Sequence, residues 1–499
     1  MRTFSKSKLL ALRQCPKRLW LEVHRPDLFE YSPEIDVRFQ TGFQVGKIAR
    51  RIYDREGQGV LIDVQVDGFD RAFERTAELL RTRQPIFEAG FSGGGALTFA
   101  DIMLPDQNGA ELVWHMIEVK SSSSVKDYHY DDLAVQAFVA QAAGIPLASI
   151  ALAHLDSSWV YPGNEDYQGL LKENDLTAET LCRTEEVKEW IIQAQNIVAQ
   201  PTEPAIETGN QCFSPFECSF YSYCSRNELK PEYPVVWLPR FPSAKAEKLA
   251  ARGIDDLRNI PDELLNDKQL RVKTHTLADT IFFDAVGAAS DLAVYPPPAY
   301  FLDFETIQFA VPIWKGTRPY QQIVFQFSLH RLDASGPLEH TEFLDLSGND
   351  PSESFAHALI GACGVQGPVF VYNAGFEMAR IRELAERFPS LSQLLLAIND
   401  RVVDLLPIAR ERYYHPIQQG SWSIKKVLPA VVPELRYDTL DGVQDGGMAM
   451  NAFLEGIHPD TVPERKTQIE QQLLAYCKLD TYAMVRLWQV FSGRTDLNF

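Results

Sequence analysis

The chain has no apolar run of the roughly 18–20 residues that a membrane-crossing helix requires. Its start, Met1-Arg2-Thr3-Phe4-Ser5-Lys6, lacks the apolar stretch of a secretory signal. Cysteine is scarce, with seven in 499 residues. The odd number excludes a fully paired disulfide framework, and in a reducing compartment the thiols stay free for other chemistry. Positive charge is in deficit, 48 Lys and Arg against 67 Asp and Glu, for a formal charge of −19. That balance argues against a nonspecific polyanion binder, and the absent signals point to a cytoplasmic protein. The remaining composition is that of a folded chain, 45% hydrophobic, enough for two or three domains.

The charge deficit is uneven. Residues 1–55 hold twelve Lys and Arg against six Asp and Glu, so the N-terminal end is basic. Acid-rich stretches elsewhere are what a site holding divalent cations needs.

One such stretch is Phe99-Ala100-Asp101-Ile102-Met103, a polar turn through Pro105-Asp106-Gln107-Asn108-Gly109, and Trp114-His115-Met116-Ile117-Glu118-Val119-Lys120. Two apolar runs about a turn predict a β-hairpin. Side chains two apart on a strand share a face, so Glu118 and Lys120 point the same way and Asp101 meets them from the partner strand. Two carboxylates and an ammonium at one point suit a hard cation such as Mg²⁺. Ile86-Phe87-Glu88-Ala89-Gly90-Phe91 reads as the strand before, and Leu133-Ala134-Val135-Gln136-Ala137-Phe138 as a helix after. Gln136 in that apolar setting needs a polar partner. A helix over 69–83 is predicted to bury Phe69, Phe73, Ala77 and Leu80.

Four cysteines form a pattern. Cys15 stands in Gln14-Cys15-Pro16, between two helical stretches, and Cys212, Cys218 and Cys224 follow at intervals of six in a loop rich in Ser, Pro and aromatic residues. An iron–sulfur cluster, tetrahedral zinc and no metal are all compatible with that set. Cys182, Cys363 and Cys477 read as ordinary scattered residues.

The motif order Glu88, Asp101, Glu118-Val119-Lys120, Gln136 resembles the PD-(D/E)xK nuclease domain of RecB/AddB-like enzymes, over residues 1–230. The cysteine set resembles the iron–sulfur staple of that family, which implies a 4Fe–4S cluster on Cys15, Cys212, Cys218 and Cys224. The resemblance implies Mg²⁺ or Mn²⁺ on Asp101 and Glu118, with Lys120 positioning a water. Two features depart from it. The family's metal-binding histidine is replaced by Phe43 and Gln44, and its cysteine trio commonly has a shorter first gap.

Residues 231–298 carry no catalytic pattern and are expected to be a helical linker. Leu249-Ala250-Ala251-Arg252-Gly253-Ile254-Asp255-Asp256-Leu257 resembles half of a helix-hairpin-helix. Pro296-Pro297-Pro298 marks a domain start.

In residues 299–499, Asp303 and Glu305 share one face of the strand Ala299-Tyr300-Phe301-Leu302-Asp303-Phe304-Glu305-Thr306. Acids are disfavoured in apolar strands, and metal binding supplies a reason for them. Glu377 begins a helix after Val369-Phe370-Val371-Tyr372. Tyr476 and Asp480 are four apart, on one face of a helix near the end. The set Asp303, Glu305, Glu377, Tyr476, Asp480 resembles the DnaQ-like 3′–5′ exonucleases of the DEDDy branch, with Glu377 where the family usually has Asp. That implies an RNase H-like fold and two Mg²⁺ or Mn²⁺ ions among the four acids. Tyr476 then orients or helps deprotonate a water, and Lys425 or Lys426 approaches the substrate strand.

The combined expectation is an α/β protein with a restriction-endonuclease-like N-terminal domain and an RNase H-like C-terminal domain. It implies a nuclease acting on DNA ends or single strands, in repair or defence. The alternative is a nucleic-acid-binding protein whose N-terminal domain is a non-cutting Fe–S module and whose C-terminal domain alone cuts.

Overall fold

The computed structural model describes residues 2–106, 111–334 and 337–494. The chain is α/β and divides into two compact units, residues 1–228 with 309–321 and residues 229–308 with 322–499. Among the described residues, no helix is long and apolar enough to cross a membrane.

The first unit is built on a seven-stranded mixed sheet of β1 (Phe4–Ser5), β2 (Val60–Leu61), β3 (Ile86–Gly93), β4 (Ala96–Pro105), β5 (Trp114–Lys120), β6 (Leu147–Leu155) and β7 (Leu171–Asp175). The spatial order is β2-β3-β4-β5-β6-β7, with β1 beside β4. Strands β3, β4 and β5 run antiparallel, and β5 and β6 run parallel. A parallel step needs a crossover, here the helix Asp127–Ala142, in which Leu133 through Ala140 are all buried. It is covered on both sides, by the sheet and by the helix Thr184–Val198, which is why it is apolar nearly all round.

The hairpin register, Ile102↔Ile117 and Met103↔Met116, sorts the side chains. Ile102 and Ile117 pack with Phe87 and with Ala49 of the helix Pro33–Tyr53. Met103 and Met116 pack on the opposite face with Leu133 and Phe138. The period of two places Asp101, Glu118 and Lys120 on this second face, under the crossover helix. The turn residues Gln107, Asn108 and Gly109 lie outside the described residues.

The helix predicted over 69–83 spans Phe69–Leu79 and turns a different face inward, with Ala72 and Thr76 buried and Phe69 56% exposed. The small residues let the helix sit close to the sheet, where Thr76 Oγ1 accepts from the Gly90 N–H at 3.1 Å. Phe73 stacks on Phe99 instead of entering the core.

The second unit holds a two-stranded pair, β8 (Phe282–Phe283) with β14 (Tyr413–Tyr414), and a five-stranded sheet. The sheet comprises β9 (Ala299–Ile307), β10 (Ile323–Leu332), β11 (Leu338–Leu344), β12 (Val369–Val371) and β13 (Val402–Asp404). Its order is β11-β10-β9-β12-β13, antiparallel from β11 to β9 and parallel from β9 to β13. Tyr300, Leu302 and Phe304 of β9 pack into one layer with Phe355 and Leu359. Phe301 packs into the other with Phe370 and Trp488. Asp303 and Glu305 share the parity of Phe301, so they face the layer that holds the helix Pro463–Phe491.

The segment expected as a linker is folded into this unit. Val235, Leu238, Leu249, Leu257, Ile260, Val272 and Leu292 share one core with Phe301, Phe370 and Trp488. Its apolar residues lie too far apart in sequence to form one clear stripe, and they find their partners only across the unit. Around Gly253 a helix, Ser243–Ala250, is followed by a turn and the isolated bridge Pro234↔Asp256.

Candidate metal centres

In the second unit the long C-terminal helix is pinned to β10 by polar contacts. The Gln326 side-chain amide donates to the Leu473 carbonyl at 2.8 Å, and Thr481 Oγ1 meets Ser328 Oγ at 2.7 Å and His330 Nδ1 at 2.8 Å. That register lowers Asp480 onto β9. One carboxylate oxygen each from Asp303, Glu305 and Asp480 lies within 4.8 Å of the others. Glu377, in the first turn of the helix Gly375–Arg387, is 3% exposed, and its Oε2 is buried without a hydrogen-bond partner. Its charge is felt at Asp303.

Glu377 stands outside that group of three, and buried acids so close to one another resist ionising together. Burial and the charge of Asp480 hold Glu305 up at about 8. Burial, less a backbone hydrogen bond and with Asp404 adding to it, holds Glu377 at about 8. Burial raises Asp480 to about 6 against the pull of Tyr437 and Lys425, and burial with Asp480, Glu305 and Glu377 pushes Asp303 well above the ordinary range. Converging oxygens, raised carboxyls and an unpartnered buried oxygen fit a divalent cation, whose charge reverses these shifts.

Burial and the neighbouring acids Asp480, Glu305 and Asp303 also drive the Tyr476 phenol far up. In the metal-free protein it therefore keeps its proton at neutral pH. A second tyrosine, Tyr437, donates to Asp480 Oδ1 at 2.5 Å. Lys425 Nζ donates to the Gln444 carbonyl at 2.9 Å and sits 5.3 and 5.2 Å from the Tyr437 and Tyr476 rings. Cys477, read from sequence as ordinary, is buried with its Sγ 3.8 Å from Asp303 Oδ2. Asp404 is a cap that accepts from the N–H groups of Leu406, Asn373 and Ala374. Tyr437 and Cys477 carried no sequence signal beyond the adjacency of Cys477 to Tyr476.

In the first unit Glu118, Lys120 and Gln136 meet with two residues that sequence did not single out, Lys6 and Asp132. Lys120 Nζ lies 2.7 Å from Glu118 Oε1 and 2.5 Å from Asp132 Oδ2. Lys6 Nζ lies 2.9 Å from Glu118 Oε1 and 2.8 Å from Asp132 Oδ1. The Gln136 amide donates to Glu118 Oε2 at 2.7 Å and to Asp132 Oδ1 at 3.0 Å. Asp132 and Gln136 are four apart on the crossover helix, which was the available signal for Asp132. Lys6 comes from the other end of the unit and had none. Burial opposes the charge on both lysines, but Asp132 and Glu118 outweigh it and hold both ammoniums charged. Lys120 and Lys6 likewise overcome burial to keep Asp132 ionised.

Asp101 lies beside this network, with its Oδ2 accepting from the Val119 N–H at 2.7 Å. Burial, then Glu118 and Glu88, push its carboxyl well up. Glu88 has φ +56, a conformation rare for a residue with a Cβ, and pairs with Arg50 at 3.5 Å. At the expected histidine position, Phe43 is 71% exposed. Both oxygens of Glu118 already accept from amines or an amide, so Asp101 and Glu118 do not present an open cation site. The expectation of Mg²⁺ on this pair does not fit the arrangement, because Lys6 supplies the positive charge there.

The four patterned cysteines, Cys15, Cys212, Cys218 and Cys224, line one small cavity with Lys17, Arg18 and Phe220. Cys15 joins the helices Lys6–Gln14 and Pro16–His24, and the Cys218 N–H donates to the Cys212 carbonyl at 2.7 Å. Burial raises the Cys218 thiol and lifts Cys224 to about 11. Lys17 and Arg18 pull the other way, toward thiolate. Among the described residues, no three of these sulfurs lie within 4.8 Å of one another.

Residues 300–423 match a family model described as "Domain of unknown function (DUF2779)". That span contains Asp303, Glu305 and Glu377 and stops short of Lys425, Tyr476 and Asp480. The chain is also similar to an uncharacterized protein of Ureaplasma parvum serovar 3 (strain ATCC 700970), 23% identical over 277 residues, which are 50% of this chain and 38% of that protein. The chain therefore spans less than half the length of this curated relative.

Proposed function

We propose that the protein is a metal-dependent DNA nuclease whose cutting centre is the acid cluster of the second unit, a DnaQ-like 3′–5′ exonuclease site on an RNase H-like sheet. The observation that carries this reading is the convergence of Asp303, Glu305 and Asp480 within 4.8 Å. Asp303, Glu305, Glu377 and Asp480 would hold Mg²⁺ or Mn²⁺, which supplies Lewis-acid charge to a scissile phosphodiester. Hydrolysis adds water across the P–O3′ bond: the water oxygen joins phosphorus, the 3′ oxygen leaves, and one water proton ends on it. Tyr476 would orient the attacking water or help to deprotonate it. Tyr437 fixes the Asp480 carboxylate by its 2.5 Å bond. Lys425 balances the negative charge of Glu305 and Asp480.

The first unit supports two readings, a second PD-(D/E)xK nuclease or a RecB-like module that grips DNA without cutting. The occupation of both Glu118 oxygens by Lys6, Lys120 and Gln136 favours the module. In either reading Cys15, Cys212, Cys218 and Cys224 hold a 4Fe–4S cluster that ties the N-terminal helices to the loop at 212–224.

Asp303→Ala and Glu118→Ala, assayed on end-labelled single- and double-stranded DNA with Mg²⁺ or Mn²⁺, test the assignment. Loss of cutting in Asp303→Ala with full cutting in Glu118→Ala supports one centre and the module. Full cutting in Asp303→Ala refutes the proposed centre. Iron and sulfide near four each per chain in anaerobically purified protein, lost in Cys218→Ser, supports the cluster, and stoichiometric zinc counts against it.

A further inference from the structure

A groove of about 850 Å³ lies in the second unit between the segment Val236–Arg240, the turn at 419–424 and the end of β12. Its lining includes Arg240, Lys268 and Arg410 and no Asp or Glu, in a chain whose formal charge is −19. Lys268 pairs with Glu411, while neither Arg240 nor Arg410 is ion-paired among the described residues. Two arginines without a carboxylate partner, beside a lysine that already has one, are complementary to a polyanion in so acidic a chain.

None of the four acids lines the groove, but two of its walls lead to their neighbours. Asn373 lines it and donates its N–H to Asp404, whose charge reaches Glu377. Ser423 and Ile424 line it too, and the next residue is Lys425, whose charge reaches Glu305 and Asp480. Trp237, half-buried, and Tyr372 add aromatic surface to the walls. Arginines and aromatic side chains lining one groove are the components of a single-strand track.

The backbone is strained where the track is built. Arg240 has φ +50, a left-handed conformation that a residue with a Cβ rarely holds without a functional reason. Gly420, at φ +74, lets the turn approach the Trp237 carbonyl so closely that a Cβ would stand 1.5 Å from it.

We propose that this groove binds single-stranded DNA leading to the acid cluster, with Arg240 and Arg410 on phosphates and Trp237 against a base. The inference rests on the second unit being the nuclease and specifies how its substrate is held. A single strand suits it better than a duplex, because Asp480 is buried and a flexible strand threads where a rigid double helix cannot.

The test is binding of a labelled mixed-sequence single-stranded DNA to the full chain by fluorescence anisotropy, with Ca²⁺ in place of Mg²⁺ and salt varied over about 50–200 mM. Arg240→Ala combined with Arg410→Ala should weaken binding roughly ten-fold and flatten the salt slope by about 1.4, two phosphate contacts at about 0.7 each. Arg240→Glu, an exposed position, gives the same direction should the double variant fold poorly. Unchanged affinity and slope in both variants overturn the proposal. Tighter, arginine-dependent binding of the RNA version of the strand overturns the assignment to DNA. Asp303→Ala separates this from the reading beneath it: if that variant still cuts while the arginine variants lose binding, the groove stands and the cutting centre falls.

Discussion

Glu305→Gln should stabilise the metal-free protein at alkaline pH while removing its response to divalent cations. Burial and Asp480 hold the Glu305 carboxyl at about 8, against an ordinary 4.5. The folded state therefore retains a proton that the unfolded chain has already lost. A carboxyl raised on folding adds stability that is complete below pH 4.5 and is lost as pH rises toward 8. Each pH unit in that window costs about 1.4 kcal/mol for one retained proton. The full window comes to about 5 kcal/mol, and to about 2–3 kcal/mol once the protons shared with Asp303 and Asp480 are counted. Glutamine carries no such cost, so at pH 8 in EDTA the variant should melt about 4–12 °C higher, at about 2–4 °C per kcal/mol for a unit of this size. At pH 5 the two proteins should melt together. Mn²⁺ should raise the melting temperature of the parent at pH 8 and leave the variant nearly unmoved, because a cation offsets the carboxylate repulsion only where the carboxylate exists. Differential scanning fluorimetry at the two pH values, with EDTA or Mn²⁺, reads all four states. A variant less stable than the parent at pH 8 in EDTA, or an equal Mn²⁺ response in both, would refute the account of the cluster as a strained cation site.

Lys6→Met should destabilise the first unit by about 2–3 kcal/mol, read as a lower urea midpoint, because it leaves Glu118 and Asp132 to share Lys120. The figure is below the roughly 3–5 kcal/mol of a fully buried pair since the Lys6 side chain is 22% exposed. Gly420→Ala should cost at least about 2 kcal/mol, from its positive φ and the close Trp237 carbonyl. It should also weaken single-strand binding, whereas Gly493→Ala, whose Cβ meets nothing within 4 Å, should leave binding unchanged.

Local pattern was enough for the α/β class and for the pieces of each candidate centre. Strand parity alone put Asp303 with Glu305 and Glu118 with Lys120. Helical spacing alone put Tyr476 with Asp480. These relations follow from backbone geometry and need no partner. Tertiary structure decided which pieces meet and in what state. Nothing near residue 6 in the sequence records that its ammonium reaches Glu118 and Asp132, yet that contact turns an expected cation site into an ion-paired network. Burial, which no short window of sequence reports, keeps Tyr476 protonated and lifts Glu305 and Glu377 to about 8. The fold also gathers the scattered apolar residues of 231–298 into the second unit and so builds the basic groove. Periodicity is a property of a few neighbouring residues, while charge state and pairing depend on everything packed around a group, and only the folded chain supplies that.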